Sequence, residues 1–191
     1  MRSFQMVLCV GMLSLLALSP GLASGGFQTD LVGNLSYVQK QILDLENSIP
    51  DSKMTWRPAE GVRSVSEVYS HIAFVNYMLA KFVGIAPPAG ISVNGPEDEE
   101  KWEKMTTDKA KIHDQLVKSF DFVKAALKKL PDADLEKSVD FFGNPMTVRG
   151  VLLVLVSHVH EHLGQSIAYA RVLGVVPPWT AAQMEAAKAK K

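Results

Sequence analysis

The chain has 191 residues, enough for one domain with its own core, and its 20 basic and 20 acidic side chains cancel. That balance gives no electrostatic reason to expect nucleic acid or an anionic membrane surface as a partner. The one cysteine, Cys9, excludes an internal disulfide framework, so stability must come from ordinary packing.

The first segment reads as an address. Arg2 precedes an apolar run from Met6 to Leu18, followed by Pro20-Gly21 and the small residues Ala23, Ser24 and Gly25. That is the order of a secretory signal peptide. Cleavage is expected after Ala23, giving a signal peptide over residues 1–23, a domain over 24–179 and a short helical or disordered tail over 180–191. The apolar run is shorter than the ~20 residues a bilayer span requires, so no stable membrane anchor is expected after cleavage. The mature protein is expected to be exported, periplasmic or secreted. Arg2 is the one charged residue in the segment, so 19 basic side chains remain against 20 acidic ones, a net charge of −1.

Downstream, hydrophobic spacing predicts four long helices. Leu31, Leu35, Val38, Ile42, Leu45 and Ile49 share one face of a helix over 30–49, which Pro50 stops. A loop through Trp56-Arg57-Pro58 leads to Ser64-Val65-Ser66-Glu67, the pattern of a capping box. The helix it opens carries Val68, His71, Val75, Met78 and Phe82 on its inward stripe, with Gly84 near its end. The glycines and prolines between Gly84 and Pro96 predict a long connection, and the charged run from Glu97 to Lys104 is expected to be solvated surface with at most a short helical turn. A third helix is expected over 107–130, with Ile112, Leu116, Phe120, Val123, Leu127 and Leu130 inward and Pro131 beyond it. Residues 132–145 are expected to be a loop turning at Gly143-Asn144. The fourth helix runs from about Thr147 to Gly174, where Pro177-Pro178 forbid continuation. A last short helix is expected to open at Thr180. The fold class is therefore all-α: a four-helix bundle with a long crossover and a short C-terminal helix.

Polar residues on the inward stripes carry the functional signal: His71, and on the fourth helix His158, His162 and Gln165. Residues four apart on a helix point about 40° from each other, so His158 and His162 can reach one ion while His71 supplies a third nitrogen from another helix. Three neutral histidines suit a catalytic metal, because closed structural sites use four ligands. Spacing alone leaves a second reading open, in which each imidazole is buried with a hydrogen-bond partner of its own. A further alternative treats the β-branched stretch 148–159 as a strand, with His158, His160 and His162 on one face. The segment Ser166–Arg171 reads as helix and no clear strand is available to pair with it, so the helix is preferred, with His160 turned outward. His113 is expected at the surface, and Glu161 beside the ligand face is expected to be solvated. Position 164 is glycine, so His160-Glu161 does not begin a zinc-peptidase H-E-x-x-H motif.

The arrangement His158-x-x-x-His162-x-Gly164-Gln165, followed by Tyr169-x-Arg171-x-x-Gly174 and Pro177-Pro178, resembles the DinB-like (DNA-damage-inducible B-like, YfiT-type) superfamily. Trp56-Arg57-Pro58 and the capping box leading to His71 extend the resemblance over roughly residues 30–178. It implies an up-down-down-up four-helix bundle whose metal triad is His71, His158 and His162. Characterised members of that superfamily include transferases and an isomerase that use low-molecular-weight thiols of the cytosol, a setting from which an exported chain departs. Two functions follow as expectations. One is a metal-dependent transferase or hydrolase acting on a small molecule, with Gln165 orienting a ligand or the substrate and no catalytic base assignable. The other is a periplasmic metal- or small-ligand-binding protein without turnover. The cofactor expected in either case is a divalent ion, zinc or nickel, and dimerisation through helix faces is a further expectation.

Overall fold

The computed structural model describes residues 26–190; the signal peptide read over residues 1–23 lies outside them. Helix α1 spans Phe27–Ser48, α2 Val65–Phe82, α3 Pro96–Glu103, α4 Lys109–Leu127, α5 Val148–Val172 and α6 Pro178–Lys188. One antiparallel hairpin, β1 Ser138–Phe141 and β2 Asn144–Thr147, precedes α5. No described helix is long and apolar enough to cross a membrane.

The four long helices α1, α2, α4 and α5 form the bundle, each packed against two of the others: α1 against α4 and α5, and α2 against α4 and α5. In this up-down-down-up arrangement the chain passes from α2 to α4 through the long crossover 83–108, which carries α3 against α2. The core is built largely from the stripes expected of the helices. The correction is in α2, where Met78 and Phe82 are only partly buried and Ile72 and Phe74 take core positions because both faces of that helix are covered. Leu35, Val38, Ile42, Leu45, Ile72, Phe74, Ile112, Leu116, Phe120 and Leu155 are all essentially inaccessible to solvent.

The two helices that carry the histidines have their first turns pinned by the chain before them. In α2 the capping box forms as the sequence predicts: Ser64 Oγ accepts from the Glu67 amide, and the Glu67 carboxylate accepts from the Ser64 amide. The next amides, of Val65 and Ser66, donate to the carbonyls of Trp56 and Met54. In α5 the Gly150 amide donates to Thr147 Oγ, while the Val148 and Arg149 amides donate to the carbonyls of Lys137 and Leu135. Every early amide that a helix leaves unpaired is thus spent on a specific partner, which fixes where each helix begins.

Several expectations need correction. Residues 132–145 are not simply a loop. Alternation across Ser138–Phe141 supports a strand, and the turn is Phe142-Gly143, one residue earlier than Gly143-Asn144. Both turn residues have positive φ, 53° and 82°, as a two-residue hairpin turn of the primed type demands. Phenylalanine is an unexpected occupant, and it stacks against Phe82 and Phe141. The charged run 97–104 is a full two-turn helix with a role at the site. The last helix begins at Pro178 rather than Thr180, because proline is preset for the first helical position. His113 is only half exposed and bonds the completely buried Glu46 at 2.8 Å.

Replacing Ser64 by alanine removes one half of the capping box. The expected loss is about 1 kcal/mol of stability, measured by urea or thermal unfolding.

Candidate metal centre

His71 lies on α2, two turns from the pinned start of that helix, while His158 and His162 lie one turn apart on α5. Because α2 packs against α5, the three rings meet, with centroid separations of 5.0 Å (His71–His158), 4.7 Å (His71–His162) and 4.4 Å (His158–His162). The nitrogens of these three residues lie close enough together to serve one metal ion. His71 and His162 are only 7% and 8% exposed, and His158 is partly buried.

The outer nitrogens of two rings are held from behind. His162 Nδ1 donates to Gln165 Oε1 at 2.7 Å, the Gln165 amide donates to Tyr169 Oη at 3.0 Å, and that hydroxyl donates to the Arg63 carbonyl at 3.1 Å. Tyr169 is braced by an edge-on contact with Trp56. His71 Nδ1 lies 2.9 Å from an oxygen of Glu103 and 2.9 Å from one of Glu99, both on α3. Arg63 then closes the outer face: its Nε donates to Glu103 and its Nη2 to Glu99. Trp102, packed between Phe74 and Tyr77, holds α3 on α2 so that both carboxylates face inward.

These partners dictate the tautomers. With Nδ1 committed as a donor, His71 and His162 each keep a lone pair on Nε2. His71 Nε2 lies 3.0 Å from His158 Nε2, a hydrogen bond in which the N–H of a neutral His158 faces the His71 lone pair. His158 Nδ1 is buried with no hydrogen-bond partner among the described residues. Protonation does not relieve the crowding. Burial, the neighbouring His162 and His71, and Arg63 push His158 down to about 3. Burial also draws His162 below the usual imidazole value, against the opposing hydrogen bond to Gln165. Imidazole nitrogens that converge, two of them on rings whose protonation burial disfavours, fit a metal cation, and neutral imidazoles are the form a metal binds. A second grouping, His71 with Glu99 and Glu103, is also close enough to hold an ion. Arg63 already occupies both of its carboxylates, which makes them supports for His71 rather than ligands of their own ion.

The sequence family described as the DinB superfamily matches residues 34–166. This chain belongs to the DinB superfamily. Solved structures of similar fold include a DinB-like protein from Bacillus cereus, 22% identical with a TM-score of 0.64, covering 78% of this chain and 95% of that one. Another is YfiT from Bacillus subtilis, a probable metal-dependent hydrolase with an unusual four-helix bundle topology. It is 18% identical with a TM-score of 0.63, covering 80% of this chain and 91% of its own. A conserved protein from Enterococcus faecalis is 15% identical with a TM-score of 0.60, covering 76% and 95%. At these identities the likeness is one of fold. No curated protein matches the chain significantly.

Within this DinB-superfamily chain, His71, His158, His162 and Gln165 come together where the sequence places them, and His160 turns away to bond Asn34. Asn76, a buried amide on α2, is a core residue that donates to Ser119 Oγ. Sequence reasoning missed Glu99, Glu103 and Arg63. A usable signal was present: Glu99 and Glu103 are four apart, and Trp102 beside them gives the charged run an apolar anchor.

The depressed imidazoles make the metal-free protein acid-sensitive. An unfolded histidine titrates near 6.5, so between that pH and the folded value of about 3 for His158 the unfolded chain binds more protons, and stability falls as pH falls. Glu103 acts in the same direction. Burial alone would raise it, but hydrogen bonds and charges from His71 and Arg63 outweigh burial and hold it below the usual carboxylate range. In chelator, urea unfolding from pH 7 to 4 should show a loss on the order of a few kcal/mol, with a shallower slope for His158→Gln.

Proposed function

We propose that this protein is an exported metal-dependent hydrolase or transferase acting on a small molecule, with His71, His158 and His162 holding a zinc or nickel ion. The observation that carries the reading is the convergence of imidazole nitrogens whose protonation is disfavoured. YfiT's hydrolase description supports it by analogy of fold. Bound there, a divalent ion would supply Lewis-acid activation of a nucleophile or of a substrate oxygen.

The chain's own groups then have defined tasks. Gln165 and Glu103 lock the rings of His162 and His71, so that their ligand nitrogens need no reorganisation when an ion binds. Glu103 touches His71 and also lines the neighbouring cleft, so it couples the orientation of that ring to whatever the cleft holds. Water is the favoured nucleophile over a cytosolic thiol, because residues 1–23 read as an export signal. A second reading, a metal- or ligand-binding protein without turnover, is favoured by the limited exposure of His71 and His162.

Elemental analysis of protein purified from the periplasm without chelator tests the centre, beside a His158→Ala/His162→Ala variant. About one ion per chain is expected in the wild type and none in the variant. Absence of metal from both, with both equally folded, would reduce the histidines to core filling and remove the enzyme reading.

A further inference from the structure

The triad has a neighbour whose chemistry is separate from metal binding. A cleft of about 530 Å³ lies beside it, lined among others by Arg57, Val62, Arg63, Glu67, Glu103 and Gln165. Glu103 and Gln165 are the side chains that hold His71 and His162, so cleft and triad share two walls.

The hydrogen-bonding groups of this cleft are unbalanced. A guanidinium carries five N–H donors. Arg57 spends one on the Val62 carbonyl and one on Glu67, and Arg63 spends one each on Glu103 and Glu99, which leaves three on either side chain. The acceptors are largely consumed. Both oxygens of Glu67 are taken, one by Arg57 and one by the Ser64 amide, and Glu103 Oε1 accepts from both Arg63 and His71. The Gln165 amide is spent on His162 and Tyr169. Exposure follows the same division: the Arg57 and Arg63 side chains are 42% and 37% exposed, against 15% and 12% for Glu67 and Glu103. The cleft therefore offers solvent a surplus of cationic donors. The first amides of α2, which could also attract an anion, are already paired with Trp56, Met54 and Ser64. Lys104, the third cation on the lining, is paired with Glu100, so recognition falls chiefly to the two guanidiniums.

We propose that this cleft binds an anionic oxygen group, a carboxylate or phosphate, through Arg57 and Arg63. Resting on the metal-enzyme reading, that makes the substrate a small organic acid or phosphate ester whose reacting end lies toward the triad. A planar guanidinium matches either oxyanion with paired hydrogen bonds. An apolar ligand would instead strip water from donors it cannot satisfy, and a cationic ligand would meet like charge.

The probes are acetate and methylphosphonate, titrated into zinc-loaded and chelator-treated protein against chloride at matched ionic strength. The readout is the side-chain N–H resonances of Arg57 and Arg63. Binding by at least one probe is expected, weakened about tenfold in Arg57→Gln and less in Arg57→Lys, with metal content unchanged in both. Which probe binds tells carboxylate from phosphate. No perturbation by either probe overturns the proposal, as does equal binding by Arg57→Gln. Binding that survives Arg57→Gln but is lost in His158→Ala/His162→Ala places the probe on the ion and also overturns it. Arg57-dependent binding to a chain that holds no metal upholds the anion cleft and removes only the metal reading. Should Arg57→Gln fail to fold, the wild-type resonances and Arg57→Lys decide the matter.

Discussion

Three imidazoles turned on one another inside a helical bundle set the terms for everything around them. Their nitrogens crowd together, and burial disfavours the protonated form of His158 and His162. The arrangement is tolerable because the outer nitrogens of two rings are held by acceptors that leave them no other orientation. The rest of the site is organised backwards from that need. Glu99 and Glu103 exist as partners for His71 only because α3 is folded onto α2, and Gln165 reaches His162 only because Tyr169 and the Arg63 carbonyl hold its far end.

Arg63 links these two support systems. Its side chain neutralises the carboxylates behind His71, and its backbone carbonyl ends the hydrogen-bond chain behind His162. One residue at the entrance to α2 thus touches the orientation of both rings without touching either. It also faces the cleft, so anything that bound there would be felt at the supports of the triad.

The long stripes made the bundle legible in the sequence. Six apolar positions on the first helix and six on the third admit only one face, and the capping box fixed where α2 begins to the residue. His71, His158, His162 and Gln165 stood out because each breaks an apolar stripe. What escaped was whatever depends on contacts across the chain. Glu103 looks like any surface glutamate until α3 is laid on α2, since nothing local says that His71, 32 residues earlier, is its partner. His113 was similarly opaque, because its partner Glu46 lies 67 residues away in sequence. The hairpin was hidden for a different reason. Its strands are four residues each, and a phenylalanine stands in a turn position where glycine or asparagine would have announced it.

The pinned starts of α2 and α5 carry a consequence for how such a chain can change over time. Each residue of a helix advances its direction by about 100°, so one residue gained or lost between Ser64 and His71, with the capped helix start kept in place, would swing His71 out of the triad. The same holds for the stretch between Thr147 and His158 with respect to His158 and His162. Beyond the histidines no such metric applies, and the segment after Gly84 or after Gly174 can lengthen without turning a ligand. Insertions in this lineage should therefore fall outside the stretches from each cap to its ligands, while the spacing within those stretches stays fixed even as the residues that fill it are replaced.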